Sequence, residues 1–139
     1  PATVQGEGVT VLLDDVKGQS LTGDPNNYII HDSDILQVLN ELRDAGAEAL
    51  SINGERILAT TEIRCAGSVL SANNQRIAAP FTIQAIGDPQ KLSAALNLRN
   101  GVADNLRQWG IQVEVTQRDK IIIEGYKGGM QFEYAQRTE

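Results

Sequence analysis

Very little in this sequence supplies ready-made chemistry. It holds one cysteine, one histidine and one tryptophan, and aromatic residues make up only 4% of it. The single Cys65 excludes an internal disulfide and any cysteine-rich zinc site, and it leaves the redox compartment open. His31 has no second imidazole or thiol with which to share a transition metal. With so few rings, aliphatic side chains must fill the interior, and single-stranded nucleic acid would find few stacking surfaces. The net charge is −6 with a pI near 4.7. No strong basic cluster offsets it, so a polyanion such as DNA is not an expected partner. No apolar run exceeds a few residues, so neither a transmembrane helix nor a signal peptide is expected. The chain opens on Pro1 rather than Met, which points to a domain excised from a longer protein.

What is present is an ordinary folded composition, 139 residues with 41% hydrophobic. That length predicts one domain with a single sizeable core. "GVTVLLDD" (8–15) alternates and is rich in β-branched residues, which predicts a strand. Gly18, Gly23, Pro25 and paired asparagines make 16–30 a surface loop, expected to be mobile. After Asp32 the apolar residues Ile35, Leu36, Val38, Leu39, Leu42 and Ala45 fall on one face of an amphipathic helix. Asp32 is placed as its N-cap and Asp34 in its first turn, with Gly46 as the left-handed residue that ends it. Asn53-Gly54, between "EALSI" and "ERILA", predicts a type I′ hairpin. Further strands are expected in 62–87, with a turn at Asn73-Asn74 and Pro80 at an edge or strand entrance. Asp88 and Pro89 begin a second helix, which Gly101 bends or breaks and Gly110 ends. "IQVEVTQRDKIIIEGY" predicts a second hairpin turning near Arg118-Asp119, and "QFEYA" a short final strand.

The segments after Gly46 and Gly110 look alike in register, each following a strand and a helix. Two tandem β-α-β-β units would give an α+β fold, a ferredoxin-like sandwich with extra strands.

Catalytic constellations are hard to assemble. No GxSxG occurs, and the glycines of "GEGVTV" precede a strand instead of joining a strand to a helix. Arg64 beside Cys65 could activate a thiol, but "IRCAG" reads better as a strand carrying a small buried one. Asp14, Asp15, Asp24, Asp32 and Asp34 could gather oxygens around the first loop, as calcium requires. The EF-hand pattern is absent, and solvated loop and cap carboxylates account for them. No catalytic residue, metal or cofactor is expected. The candidate binding residues are Asn40 on the helix and Glu48, Asn53, Arg56 and Arg64 around the first hairpin. The two arginines could clamp a carboxylate or phosphate, or pair with Glu48, Glu55 or Glu62 within the fold.

"YIIHDSDILQVLNELRDAGAEALSINGERI", then "EIRCAG", then "IQAIGDPQKL", closely resembles the YlxW/YlxX-like family of bacterial proteins of unknown function. The resemblance covers nearly the whole chain, from "GVTVLLDD" to the "F-x-YA" ending at Phe132–Ala135, with Ile35 where the family usually has Leu. Asp32, Asn40, Glu48, Asn53, Arg56, Arg64 and Cys65 belong to its motif. The resemblance implies one extracytoplasmic domain over 1–139. Its parent would carry a short cytoplasmic tail, one transmembrane anchor and a coiled-coil stretch before the domain, with links to cell-division and envelope genes. The resulting expectation is a non-enzymatic cell-envelope domain that binds a protein partner, or itself, near the division or cell-wall machinery. The alternative is a sensor that uses Arg56 and Arg64 to hold a small anionic ligand or wall fragment. Enzymatic activity ranks last, for want of a catalytic constellation.

Overall fold

The computed structural model describes residues 2–15, 29–66 and 69–127. Most of the predicted loop 16–30 and the predicted strand at 131–135 lie outside the described residues. Among the described residues, eight strands and three helices follow in the order β1 (Val4–Asp14), α1 (Asp32–Asp44), β2 (Ala49–Ile52), β3 (Glu55–Ile57), β4 (Ile63–Ala66), β5 (Val69–Ala72), β6 (Gln75–Ile77), β7 (Phe81–Ile86), α2 (Pro89–Leu96), α3 (Val102–Gln108) and β8 (Gln112–Ile123). The fold is α+β, with a five-stranded antiparallel sheet ordered β3-β2-β7-β1-β8 and a separate antiparallel sheet ordered β4-β5-β6.

Strand alternation sets the main core. Val9, Val11 and Leu13 of β1 stand opposite Ala85, Ile83 and Phe81 of β7, and all six are buried. Onto this face α1 turns Ile35, Val38, Leu39 and Leu42, α2 turns Leu92 and Leu96, and α3 turns Ala103 and Leu106. Ile63, Leu70, Ala72 and Ile77 join the same core from the small sheet. A second, smaller cluster is built from Ala49, Ile86, Ile121 and Ile123, with Val4 against it.

The helix ends follow the sequence signals with one exception. Gly46 and Gly110 both take positive φ, and both close a helix in the same way. The N–H of Ala47 bonds the carbonyl of Leu42, and that of Ile111 bonds the carbonyl of Leu106, each the longer bond of a Schellman motif. Asp88 caps α2, its Oδ1 accepting from the N–H groups of Gln90 at 2.9 Å and Lys91 at 3.3 Å. Gly101 separates α2 from α3. The exception is Asp32, which the sequence places as the cap. The N-cap is His31, and Asp34 Oδ2 accepts from its N–H at 2.8 Å. Asp32 is the first helical residue, and its Oδ2 reaches the N–H of Cys65 at 3.3 Å. It fastens the start of α1 to the edge of β4.

The predicted second hairpin does not form. β8 is one strand that pairs with β1 from Asp14↔Gln112 to Val4↔Ile123. Arg118 and Asp119 sit where the register slips between Gly6 and Gly8, a bulge that leaves β8 one residue longer than its partner. Neither takes the positive φ that a two-residue hairpin turn requires. The tandem β-α-β-β arrangement therefore stops after its first unit, and the second unit runs β7-α2-α3-β8.

A different repeat is present instead. "LSINGERI" (50–57) and "LSANNQRI" (70–77) form hairpins of identical register. Leu50↔Ile57, Ser51↔Arg56 and Ile52↔Glu55 become Leu70↔Ile77, Ser71↔Arg76 and Ala72↔Gln75. The following strands, β4 and β7, also correspond. β7 lies on β2 with Ser51↔Gln84 and Ile52↔Ile83, and β4 lies on β5 with Ser71↔Arg64 and Ala72↔Ile63. Each hairpin thus carries the third strand of the other unit, in matching register. Asn53 and Asn73 hold corresponding left-handed turn positions, with φ of 46° and 54°.

Candidate functional site

The sequence-predicted site residues do not converge. Asn53 is a turn residue whose Oδ1 accepts from Thr82 N–H at 2.7 Å and whose Nδ2 donates to the Ala78 carbonyl at 3.2 Å. Arg56 Nη1 donates to the carbonyls of Ala2 at 3.1 Å and Glu124 at 3.3 Å, tying together the outer ends of β1 and β8. Arg64 pairs with Glu62, both side chains well exposed. Glu48 stands exposed just before β2, its backbone N–H bonded to the Ile86 carbonyl. Cys65 is exposed, contrary to the expected buried thiol. β4 is an edge strand that sinks only Ile63, leaving Arg64, Cys65 and Ala66 outside. Among the described residues no cluster of three or more His, Cys, Asp or Glu side chains could hold a metal ion.

Asn40 is the exception among these residues, because it lines a groove. Sinking Ile35, Val38, Leu39 and Leu42 into the core leaves Gln37, Asn40 and Glu41 on the other side of α1. α3 sinks Ala103 and Leu106 and leaves Asn105 and Gln108 outside. The two helices pack against each other, so these polar faces meet along a valley. Two hollows of about 350 and 450 Å³ lie along it and share Gln37 and Asn105 as lining residues. At one end stand Asp34, Gln108 and Trp109, and at the other Asn40, Glu41, Asn100 and Gly101. Trp109 is 59% exposed, although it is the residue at which α3 ends. Leu98, beside the far end through the Gly101 N–H···Leu98 carbonyl bond, is equally exposed.

The groove walls are held from below. Asp34 is only 7% exposed and is fixed by the His31 N–H, which aligns the first turn of α1. Asp104 Oδ2 accepts from Asn100 N–H at 3.0 Å, and Arg107 Nη2 donates to the Val113 carbonyl at 2.9 Å, fixing α3 to the start of β8. The lining residues include two carboxylates and no lysine or arginine. An anionic ligand would be repelled there, whereas the carboxamides offer both donors and acceptors. Gln37, Asn105, Gln108 and Trp109 were not singled out in the sequence. The available signal was amides three residues apart on two helices, Gln37 with Asn40 and Asn105 with Gln108, together with the chain's one tryptophan at a helix end. A further small hollow of about 140 Å³ lies between Thr60, Thr61, Glu62, Asn73, Asn74 and Tyr126.

Comparison with known proteins places these features in a family. The family described as "Bacterial protein of unknown function (DUF881)" matches residues 2–136. The UPF0749 protein YlxW of Bacillus subtilis is 40% identical over 118 residues, covering 85% of this chain and 51% of that protein. The UPF0749 protein Rv1823 of Mycobacterium tuberculosis is 36% identical over 125 residues, covering 87% of this chain and 40% of that protein. A crystal structure of an uncharacterized conserved protein from Mycobacterium tuberculosis superposes with a TM-score of 0.76 at 29% identity, covering 90% of this chain and 83% of that one. The chain thus spans about half, or less, of the length of these curated relatives. It belongs to the DUF881, or UPF0749, family of bacterial proteins of unknown function.

Proposed function

We propose that this chain is a non-enzymatic cell-envelope domain that acts by binding, and that its contact face is the groove between α1 and α3. The frame carrying it reads as a ferredoxin-like split β-α-β, in which β2, β7, β1 and β8 are four of the sheet's five strands, β3 is added at its edge, and the helices cover one face. Its parent protein holds it outside the cytoplasm, near the division or cell-wall machinery, through an anchor that lies outside this chain. The relatives' greater length leaves room for such a segment.

The observation that carries the reading is the groove itself, an elongated hollow with polar walls and exposed Trp109 and Leu98 near its ends. Such a combination of concave shape, convergent polar groups and exposed apolar side chains favours recognition. A sensor built on Arg56 and Arg64 has less support, since Arg56 is spent on two backbone carbonyls and Arg64 on Glu62. The test is site-specific photo-crosslinking in the full-length parent protein within its native membrane. A photoreactive residue at Asn105 should give discrete adducts, and one at Thr116, on the strand side, should give none. Equal labelling at both sites would remove the groove as the contact face.

A further inference from the structure

We propose that the far end of β8 is a self-association edge, where a second copy of this chain adds its own β8, antiparallel, across a two-fold axis at Ile122. β8 ends the five-stranded sheet, and among the described residues only its β1 side is paired. An open edge offers backbone N–H and C=O groups to another strand, and folded proteins blunt such edges with charges and bulges. The middle of β8 carries both devices. Glu114, Arg118 and Asp119 are exposed, and the register with β1 slips beside Arg118. The last residues lack them. Ile121 and Ile123 turn inward to Ala49 and Ile86, so strand alternation turns Ile122 outward, and it is 52% exposed. Gln5, its partner on β1, is exposed as well. Arg56 donates to the Glu124 carbonyl at 3.3 Å and so holds this end of the strand in place.

The residues around Ile122 complement themselves, which selects a second copy as the occupant. Strands paired across a two-fold set residues of the same parity opposite each other, so the axis passes through a residue. Centred on Ile122, that side chain meets its own copy, Lys120 meets the partner's Glu124, and Glu124 meets the partner's Lys120. All three residues are exposed and alternate with the two buried isoleucines. Lys120 makes no ion pair among the described residues. Glu124 meets Lys127 in an exposed pair, and its carboxylate has oxygens for a second cation. An axis one residue earlier sets Lys120 against Ile122, and one residue later sets Ile122 against Glu124, so both oppose a charge to an apolar side chain. An axis at Thr116 would also oppose Glu114 to Arg118, but it buries no large apolar side chain. Exposed ion pairs contribute little, so they choose the register, while the isoleucine contact and the added backbone bonds supply the affinity. So short a paired stretch falls below the size of stable dimer interfaces, which makes the association weak and concentration-dependent. Ile122 lies about 30 Å along β8 from Gln112, where α3 delivers the chain, so the joined ends are remote from the α1–α3 groove.

Sedimentation equilibrium of the purified chain should show monomer and dimer exchanging, with a Kd on the order of 0.1–1 mM. Ile122→Lys should weaken dimerisation by roughly tenfold or more, because two ammonium groups would then meet at the axis. Lys120→Glu and Glu124→Lys should each weaken it by roughly three- to tenfold, because like charges would then face each other. Mixed in equal amounts, those two variants should associate at least as well as wild type, since each supplies the charge that the other lacks. The three side chains are exposed, so melting temperatures should hold. With Cys65→Ser as background, Ile122→Cys should form an intermolecular disulfide under mild oxidation. Thr116→Cys, about 20 Å away along β8, should not. A chain that stays monomeric well above the expected Kd, or a dimer indifferent to Ile122→Lys, would overturn the proposal. A disulfide through Thr116→Cys in place of Ile122→Cys, or a charge-variant mixture that fails to associate, would overturn the two-fold at Ile122.

Discussion

The β2–β3 and β5–β6 hairpins share turn chemistry, strand register and a borrowed third strand, yet they occupy different surroundings. All four residues of β2 are buried, whereas β5 alternates between buried and half-buried. β7, beyond β2, is covered on its far side by β1 and then β8. β4, the corresponding strand beyond β5, ends its sheet, and the Asp32 carboxylate meets its Cys65 N–H instead of a further strand. The asparagines diverge accordingly. Asn53 clamps the entry to β7 through Thr82 and Ala78. Asn73 reaches back, its Nδ2 donating to the Arg56 carbonyl at 2.7 Å and its Oδ1 accepting from Thr61 Oγ1 at 2.8 Å. Local sequence thus sets the turn and the register, while the neighbours set burial and rigidity.

The sharpest consequence of that difference lies at Gly8, on the strand that β7 has and β4 lacks. A Cβ there would lie 1.8 Å from the Ala85 carbonyl oxygen, so backbone would have to move. Gly8→Val should cost on the order of 3 kcal/mol or more, the upper range for overpacking, or prevent folding altogether. A chemical-denaturation midpoint near wild type would show that β1 does not approach β7 this closely. Next in size are the corresponding isoleucines. Ile83→Ala and Ile63→Ala should each cost about 2–5 kcal/mol, as core truncations do. Ile83 should fall at the upper end, since β1 and β2 flank it and it is fully buried, whereas Ile63 has a strand on one side. Equal losses would mean that the edge position of β4 is as tightly packed as the sheet interior.

Much of this was legible in the chain, and the failures have physical causes. Gly46, Asp88-Pro89 and Gly110 mark helix ends because the backbone conformations and missing N–H there suit few other residues. Asn53-Gly54 marks a hairpin for the same reason. Arg118-Asp119 reads as a turn because a polar run resembles one, but without Gly or Asn it stays extended once a partner as long as β1 is available. The cap was displaced by one residue because Asp32 and Asp34 both suit a helix start, and the choice depends on β4, a distant strand that draws Asp32 away. The repeat of "LSINGERI" in "LSANNQRI" was present to be read, yet its partners Gly54 and Asn74, or Ile52 and Ala72, share conformation and face more than identity. The groove was the least legible feature. Amides on an exposed helix face look like ordinary solvated surface until a second helix is set against them.

A turn exchange sharpens the comparison at smaller energies. Position 54 is glycine at φ 83°, and position 74 is asparagine at φ 63°. Asparagine tolerates the left-handed region, so Gly54→Asn should change stability by less than about 1 kcal/mol. Gly54→Val, β-branched and strained there, should cost roughly 1–3 kcal/mol. Thermal melts of the two variants side by side decide it. If both lost the same stability, the turn would depend on a bare glycine, and the two hairpins would not be equivalent.

The smallest effect compares the two arginines that end the repeated motif, Arg56 and Arg76. They face Ser51 and Ser71 at the same register position. Arg56 nevertheless donates to the carbonyls of Ala2 and Glu124, just beyond the outer ends of β1 and β8, strands that only the larger sheet possesses. Arg76 is exposed and makes no hydrogen bond among the described residues. Arg56→Gln removes a cationic donor from two carbonyls near the surface, where water can replace part of the interaction. The loss should be about 1 kcal/mol, below the range for a buried charged hydrogen bond. Arg76→Gln should stay within about 0.5 kcal/mol, as for an exposed side chain away from such contacts. Hydrogen exchange adds a local readout, because Arg56 tethers chain ends: amides of Val4, Gln5, Ile122 and Ile123 should exchange faster in Arg56→Gln and be unchanged in Arg76→Gln. Matching exchange in the two variants would show that Arg56 does not hold those ends, and would leave the two hairpins alike at their last shared residue.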